Sequence, residues 1–214
     1  MIWLMAVTWP CHLDVEDYAG AGQTPFPPGL ACPDCALPLA LDGSYPRVVR
    51  HHGHHLRLRI RRGRCGPCRA SHALLPDFVV AHRPDTVETS GVALAGAPGS
   101  TVPASTVAGW RRRALANQAA LVAGIGAAVL TWSDDAHVVG ADLDLPGLVT
   151  ALWSAARRRT GAGLPRPWRL LNLVTGASWV GHPREVILDR RRTGAGTSRG
   201  SFPHPLMSPS TIHS

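Results

Sequence analysis

The sequence contains no lysine, so all 22 of its basic residues are arginines. Against 14 acidic residues they give a formal net charge of +8. A positive field raises both encounter rate and affinity for polyanions, so the charge favours nucleic acid as a partner. The same bias, together with 22 Gly and 19 Pro, also fits GC-rich codon usage. Charge alone therefore leaves the partner open.

No targeting or membrane segment is predicted from the sequence. Residues 1–10 are apolar but have no basic flank and no small-residue cleavage pattern, so no secretory signal is predicted. The uncharged run from Ala114 to Trp132, which follows three arginines, is interrupted by Asn117 and Gln118. Its apolar part is then nearer the length of a buried helix than of a membrane span. We expect a soluble, cytoplasmic protein with no membrane partner, in which this run packs against a helix over residues 145–159.

Five cysteines are an awkward number for a disulfide framework, but four of them form two Cys-x-x-Cys pairs. A structural zinc ion prefers four tetrahedral ligands, and two such pairs joined by a hairpin supply them. Because four thiolates leave no open coordination position, we expect zinc to stabilise the fold and the protein not to be an enzyme. The predicted zinc ligands are Cys32, Cys35, Cys65 and Cys68.

Other roles for the cysteines and histidines are weaker alternatives. A redox dithiol at Cys32-Pro33-Asp34-Cys35 lacks a strand-then-helix setting and leaves the second pair unexplained. His72 could replace a thiolate and the four-histidine turn over residues 51–55 could bind a metal, although packing or surface roles are favoured. Cys11, beside His12, could be a nucleophile, but no supporting acid is evident and a structural thiol is favoured.

The first part of the chain predicts a small β domain. Residues 1–30 contain four prolines and show little periodicity, which favours an N-terminal arm laid over the next domain. Residues 31–82 form the predicted four-cysteine zinc ribbon. Within it, a strand over residues 47–50 is expected to pair with a strand from His55 to Arg62 across the histidine turn. Three aromatic residues could anchor the arm: Trp3, Trp9 and Tyr18.

Alternation within the second predicted strand separates an apolar face from a cationic one. The apolar face is expected to pack, and the cationic face is expected to hold phosphates. The apolar residues are Leu56, Leu58 and Ile60, and the cationic residues are Arg57, Arg59 and Arg61.

Residues 84–132 predict a helical region. One helix lies within Asp85 to Ala95, with Asp85 or Thr86 as its cap. A second begins at Pro103, which suits a first helical position, with Thr101 as a capping candidate. The side chains expected to face inward from this second helix are Val107, Trp110 and Leu115.

Residues 144–180 predict a C-terminal pair of helices. Asp144 is expected to cap the first, whose apolar stripe includes Leu148 and Leu152. The second is expected over about Trp168 to Thr175, stopped by Gly176. Residues 181–214 are rich in Arg, Gly, Ser and Pro, and are predicted to be a disordered tail. The predicted fold class is therefore α+β: a small N-terminal β zinc ribbon followed by an all-α, helix-turn-helix-like region.

Several motifs carry a resemblance to a known family. They are Val7-Thr8-Trp9-Pro10, Asp17-Tyr18-Ala19, Cys32-Pro33-Asp34-Cys35, Arg57 to Arg64, Cys65-Gly66-Pro67-Cys68, His72-Ala73-Leu74-Leu75-Pro76 and Val102 to Trp110. Together they resemble an uncharacterised bacterial family with a zinc ribbon and a helix-turn-helix, whose members look like accessory proteins of transposon-like mobile elements. The resemblance implies non-catalytic DNA binding, with a separately encoded transposase and with Ser105 and Thr106 on the recognition helix.

One feature departs from the pattern of that family. A trihelical reader needs a supporting helix of about eight residues before its recognition helix. Only Gly96 to Val102 is available for it here. We therefore expect a shortened reader, a helix pair, in this chain.

The leading hypothesis is a zinc-binding accessory protein that binds double-stranded DNA. A protein-interaction adaptor that docks a transposase or polymerase without touching DNA is the main alternative. A nuclease is disfavoured, because no predicted strands frame the acidic residues into a two-metal site. The residues predicted to contact DNA are Arg57, Arg59, Arg61, Ser105, Thr106, Arg111, Arg112 and Arg113.

Overall fold

A computed structural model describes residues 5–22, 25–27, 29–98, 100–119, 121–123, 125, 144–160, 166–175 and 179. These form a mixed α+β fold with one four-stranded sheet and several helices. In chain order the elements are β1 (Met5–Trp9), α1 (Val15–Gly20), β2 (Ala40–His51), β3 (His54–Arg64), β4 (Ser71–Pro76), α2 (Val87–Leu94), α3 (Ala104–Ala116), α4 (Leu145–Thr160) and α5 (Pro167–Val174).

The longest feature of the sheet is the antiparallel hairpin of β2 and β3, which confirms the predicted strand pairing. Pairing continues to His51 opposite His54, so the turn is shorter than the predicted five-residue histidine turn. Its two central residues, His52 and Gly53, have φ angles of +46° and +88°. Two successive positive φ angles are typical of the turn whose twist matches paired strands. The alternation of β3 is also confirmed, since Leu58 and Ile60 are buried and Leu56 is half-buried.

The sheet order is β1-β4-β3-β2, with β4 antiparallel to β3 and parallel to β1. The N-terminal segment thus contributes an edge strand and helix α1, neither of which its weak periodicity predicts. Of the three expected anchors, Trp9 and Tyr18 are buried, and Trp3 lies outside the described residues. The Trp9 indole N–H donates to the Leu74 carbonyl at 3.4 Å, and the Tyr18 hydroxyl donates to the Arg59 carbonyl at 3.2 Å.

Helices α2 and α3 follow the sheet. Of the two predicted caps of α2, Asp85 and Thr86, Thr86 is the one that caps the helix, and its side chain accepts a hydrogen bond from the Thr89 N–H. Helix α3 begins after Pro103 without a side-chain cap, so the expectation for Thr101 is wrong. The inward face of α3 is predicted only in part: Trp110 is buried, whereas Leu115 is 67% exposed. Leu115 follows the buried Ala114, and the rotation of about 100° between successive helical residues turns it away from the buried face.

Helices α4 and α5 pack against each other, and α5 also packs against α2 and β1. The Asp144 carboxylate accepts a hydrogen bond from the Gly147 N–H at 2.8 Å, which confirms the predicted cap. The Asn172 amide donates to the Asp77 and Val79 carbonyls at 2.8 and 2.9 Å, and thereby fixes α5 to the loop after β4. Gly176 and the predicted tail, residues 181–214, lie outside the described residues.

The uncharged run from Ala114 to Trp132 is described only as far as residue 125. Within that part, Leu121 and Ile125 are buried in the protein core. No helix is long and apolar enough to cross a membrane in the parts of the chain that the structure describes.

Candidate metal centre

Two tight turns bring the four cysteines together. In the first, the Cys32 N–H donates to the Leu37 carbonyl at 2.8 Å; in the second, the Cys65 N–H donates to the Ala70 carbonyl at 2.9 Å. Both bonds span five residues. In both turns the residue after the second cysteine is left-handed, with φ of +60° at Ala36 and +53° at Arg69. This conformation costs a non-glycine residue about 1–2 kcal/mol, so other interactions at the two turns must offset that cost.

The four sulfur atoms lie within 4.8 Å of one another. The Sγ–Sγ distances are 3.3 Å between Cys35 and Cys65 and 3.9 Å between Cys32 and Cys68. With Zn–S bonds of about 2.3 Å, a tetrahedral site places its sulfurs about 3.8 Å apart. All four cysteines are free rather than disulfide-bonded. The sequence prediction that these four side chains form one cluster is confirmed, and the cluster could hold a metal ion such as zinc.

The thiols differ in exposure and in their tendency to ionise. Cys32 and Cys65 are buried, Cys35 is half-buried and Cys68 is exposed. The backbone N–H of Leu37, followed by the Cys65 thiol, lowers the pKa of Cys35 to about 7. Hydrogen bonds with the Cys35 and Cys65 sulfurs raise the pKa of Cys68. The cluster therefore shares protons, and a bound divalent cation would displace them, so affinity should rise with pH.

His72 lies behind the cluster and is fully buried. Its Nε2 is 3.5 Å from the Cys32 sulfur, and it does not belong to the group of four mutually close ligand atoms. Burial lowers the pKa of His72, so the imidazole is neutral and can donate its N–H to that sulfur. An N–H donor of this kind orients and stabilises a metal-bound thiolate. The structure thus favours four sulfur ligands over the alternative in which His72 replaces one.

The comparison with protein families matches one segment of the chain. Residues 32–113 are similar to the family described as Domain of unknown function (DUF6431). The matched segment contains both cysteine pairs, the sheet from β2 to β4, helix α2 and α3 as far as Arg113. No curated protein and no solved structure matches the chain. The similarity and the cysteine cluster together fit an uncharacterised family that binds zinc.

Within the segment similar to DUF6431, three arginines of β3 form a row that we call the arginine row. Arg57 and Arg59 are exposed and Arg61 is half-buried. Their partners on β2 are Val48, Pro46 and Ser44, so no acidic residue lies directly opposite them. The row runs from near the hairpin tip toward Cys65, which follows the end of β3.

The other predicted DNA-contacting residues lie on α3, in the part of it that the DUF6431 segment includes. Ser105 is exposed and Thr106 is half-buried in the first turn. Arg112 is exposed, whereas Arg111 donates to the Leu94 carbonyl at 3.3 Å and so helps to dock α3 on α2. Burial, with help from Arg83 and Arg112, lowers the pKa of Arg113.

The histidines of the hairpin turn have packing roles in part. His51 is buried, with Nδ1 2.9 Å from the Thr86 hydroxyl oxygen and Nε2 3.3 Å from a Glu16 carboxylate oxygen. His54 and His55 are exposed. Among the residues that the structure describes, these histidines do not form a group that could hold a metal ion.

Cys11 has the properties of a structural thiol. It is buried, and burial raises its pKa to about 11. A thiol with such a pKa is almost wholly protonated near neutral pH and is a poor nucleophile. The packing role favoured by the sequence fits this environment.

Sequence reasoning missed a buried ion cluster beside Cys11. The Arg169 side chain, 7% exposed, lies 2.5 Å from a Glu88 oxygen, 3.3 Å from an Asp14 oxygen and 3.7 Å from an Asp77 oxygen. It also donates to the Leu13 carbonyl at 3.1 Å. The partners come from α2, the start of α1 and the loop after β4, so no local sequence pattern connects them. The cluster joins α5 to the sheet domain, and its contacts account for a structural role.

Proposed function

We propose that this chain is a zinc-binding, non-catalytic accessory protein that binds double-stranded DNA. The observation that carries the proposal is the arginine row, which places Arg57, Arg59 and Arg61 on one face of the β2–β3 hairpin. Its cross-strand partners carry no negative charge, so strand pairing does not neutralise the row. A cationic strip of this kind is suited to a phosphate backbone.

The spacing of the row also suits DNA. Residues two apart on a strand are about 6.8 Å apart, so the three arginines extend over about 14 Å. Over that length one strand of a DNA duplex presents about four phosphates. Each guanidinium of the row can therefore reach a different phosphate, and arginine binds phosphate through paired N–H groups.

Zinc in this proposal is structural. The donor set is four thiolates, which complete a tetrahedral site and leave no position for an activated water. When bound, zinc would hold the two cysteine turns against the end of β3. Zinc would thereby keep the end of β3 paired, and the arginine row on β3 would keep its position.

Base recognition is assigned to α3. Ser105 and Arg112 are exposed and can contact base edges of the duplex. Arg111 also helps to dock α3 on α2, because it donates to the Leu94 carbonyl. The α2–α3 pair differs from a common helix-turn-helix in its connection, which runs from Ala95 to Pro103 instead of about 3–4 residues. We propose that this helix pair recognises DNA sequence weakly. The protein partner that we propose is a separately encoded transposase of a mobile element. The mobile-element part rests on the family resemblance alone.

The alternative, a protein-interaction adaptor, is favoured by one observation. Strand β2 lies at the edge of the sheet and carries Leu41 and Val48, which are 51% and 56% exposed. An edge strand with exposed apolar side chains can accept an added strand from a partner protein.

The DNA-binding proposal and the adaptor proposal predict different results in a salt titration of binding to a random-sequence duplex. In zinc-loaded protein, Arg57→Gln with Arg59→Gln should lower affinity for every sequence and reduce the salt slope by roughly 0.9 for each phosphate that is no longer neutralised. The matched control is Arg157→Gln with Arg166→Gln, which removes the same charge from exposed sites on and beside the C-terminal helices. Equal affinity of both variants and the parent at low salt would exclude the phosphate role, and the adaptor would become the leading proposal.

A further inference from the structure

An open groove crosses the sheet at a place that neither the cysteine cluster nor the arginine row uses. Its volume is about 560 Å³. Tyr45 and Arg47 of β2 line it together with Arg62 of β3, and the loop of residues 81–84 forms its far wall. We call it the arginine groove.

The register of three strands produces the depth of this groove. Arg62 pairs with Ala73, and Ala73 pairs with Ala6, so these three residues share one face of the sheet. The two alanines are small, and they leave room beside the long Arg62 side chain. Leu75, two residues along β4 on the same face, extends this floor. The groove therefore has an apolar floor and a cationic edge.

The far wall of the groove is fixed to the sheet. One Arg47 nitrogen donates to the Val80 and Arg83 carbonyls, at 2.6 Å each. The Arg50 N–H donates to the Pro84 carbonyl at 2.6 Å. These bonds hold both ends of the loop against β2, so the groove exists before any ligand arrives. A preformed site avoids the cost of ordering a loop on binding.

The groove is strongly positive. Arg47, Arg62 and Arg83 line it with His82, and none of the described residues that line it is acidic. The hydrogen bonds from Arg47 to the loop end on neutral carbonyls, which leave its charge in place. The positive field extends toward α3, since Arg83 is one of the charges that, after burial, lower the pKa of Arg113.

We propose that the arginine groove binds a nucleoside phosphate unit, with the phosphate at Arg62 and Arg83 and the base over Tyr45 and the alanine floor. Small-molecule sites have volumes of about 300–1,000 Å³ and mostly apolar walls with a few polar groups, as this groove has. A nucleotide combines an anion with a flat ring that can stack on an aromatic side chain. Inorganic phosphate would leave the apolar floor uncovered, and an acidic peptide offers no ring for Tyr45.

The unit can come from a free nucleotide or from a nucleic-acid strand with unpaired bases, and the chemistry is the same. The inference goes beyond the duplex binding proposed above and does not require it.

The test measures binding of four probes to the full-length, zinc-loaded protein at fixed ionic strength: adenosine monophosphate, a labelled thymidine dodecamer, a duplex and a polyglutamate peptide. Arg62→Gln with Arg83→Gln should weaken the mononucleotide or the single strand at least tenfold. The matched pair, Arg157→Gln with Arg166→Gln, removes equal charge from exposed sites outside the groove and should change binding of the same probes less than threefold. Tyr45→Leu should weaken the same probes several-fold while the cations remain.

The probes separate the two sources and the two proposals. If adenosine monophosphate binds saturably and displaces the dodecamer, a free nucleotide is a sufficient ligand. If the dodecamer binds and adenosine monophosphate does not, the ligand is a single strand. A duplex that fails to bind while either probe binds would reject the proposed function and leave the groove inference standing. Equal reductions in affinity in the two arginine pairs, or polyglutamate binding as tight as the dodecamer, would overturn the inference.

A second variant tests the groove independently, in case the double arginine variant fails to fold. His82 is exposed at the mouth of the groove and has a φ of +56°, a conformation that Asp tolerates. His82→Asp should repel the phosphate and weaken the probe that binds, whereas His54→Asp at the exposed hairpin tip should not. Unchanged binding in His82→Asp would count against the groove.

Discussion

Gly91 of α2 lies directly beneath the Trp168 indole of α5. A Cβ atom at residue 91 would be 2.5 Å from three atoms of that ring, which is closer than any normal contact. The absence of a side chain at this residue therefore sets how closely α2 and α5 approach. Trp168 in turn packs against Trp179, with ring centroids 5.6 Å apart.

We expect Gly91→Ala to destabilise the protein by about 1–3 kcal/mol, the usual cost of overpacking a core. Alanine is the better helix former by about 1 kcal/mol, so a net destabilisation would show that the clash with Trp168 dominates. Urea unfolding followed by tryptophan fluorescence measures the effect. Gly20→Ala is the control, because a Cβ there meets no atom within 4 Å. Equal stability of the two variants would mean that α5 does not dock as described.

We expect one zinc ion per chain and loss of that zinc in Cys65→Ser. Structural zinc contributes on the order of 10 kcal/mol or more to the folding of small modules, so the variant should also lose the fold around both cysteine turns. Elemental analysis of protein purified without chelators measures the stoichiometry. Cys11→Ala should keep its zinc, since Cys11 is not one of the four clustered ligands. Zinc-free parent protein would reject the metal site.

The buried ion cluster should be sensitive to the removal of one partner. Arg169→Met leaves the Glu88 and Asp77 carboxyl groups without their guanidinium, and removal of one member of a buried pair costs about 3–5 kcal/mol. Arg166→Ala is the matched control, because Arg166 also contacts Asp14 but is 63% exposed. An exposed pair contributes about 0–1 kcal/mol. Similar destabilisation of the two variants, measured by urea unfolding, would contradict the buried position of Arg169.

Asp77 should make stability depend on pH. Burial raises its pKa to about 7; Arg169 acts in the opposite direction, and the nearby Glu88 carboxylate adds to the increase. The folded protein then holds a proton on Asp77 that the unfolded chain releases above about pH 4. The contribution of Asp77 to the free energy of unfolding is complete below that pH and falls as the pH rises to about 7.

The stability of the parent relative to Asp77→Asn should consequently decrease between pH 4 and pH 7. Unfolding free energies measured at several pH values test this, with Asp17→Asn, at an exposed site on α1, as the control. A flat difference across that range would show that Asp77 is ionised in the folded state.

The features that the sequence predicted correctly depend on local patterns. Two Cys-x-x-Cys spacings identify the cysteine cluster, alternation from Leu56 to Arg61 identifies β3, and Thr86 and Asp144 identify two helix starts. Each of these signals is contained within a few residues and needs no knowledge of the rest of the chain.

The features that were missed depend on distant segments. Strand β1 has only five residues, and its partner β4 begins at Ser71. The ion cluster gathers Arg169, Glu88 and Asp14 from three parts of the chain. The arginine groove depends on the alignment of Ala6, Ala73 and Arg62 across three strands. No periodicity within one segment predicts which residues the register will place side by side.

We expect the parallel pairing of β1 with β4 to form late in folding. The β2–β3 hairpin closes through residues near in sequence, whereas β1 must wait for a strand that begins roughly 60 residues later, and such long closures form slowly. Strand β4 carries His72, which contacts Cys32, so β4 is positioned where the metal site is complete. Metal binding should therefore precede the docking of β1, because it positions β4, the strand with which β1 pairs.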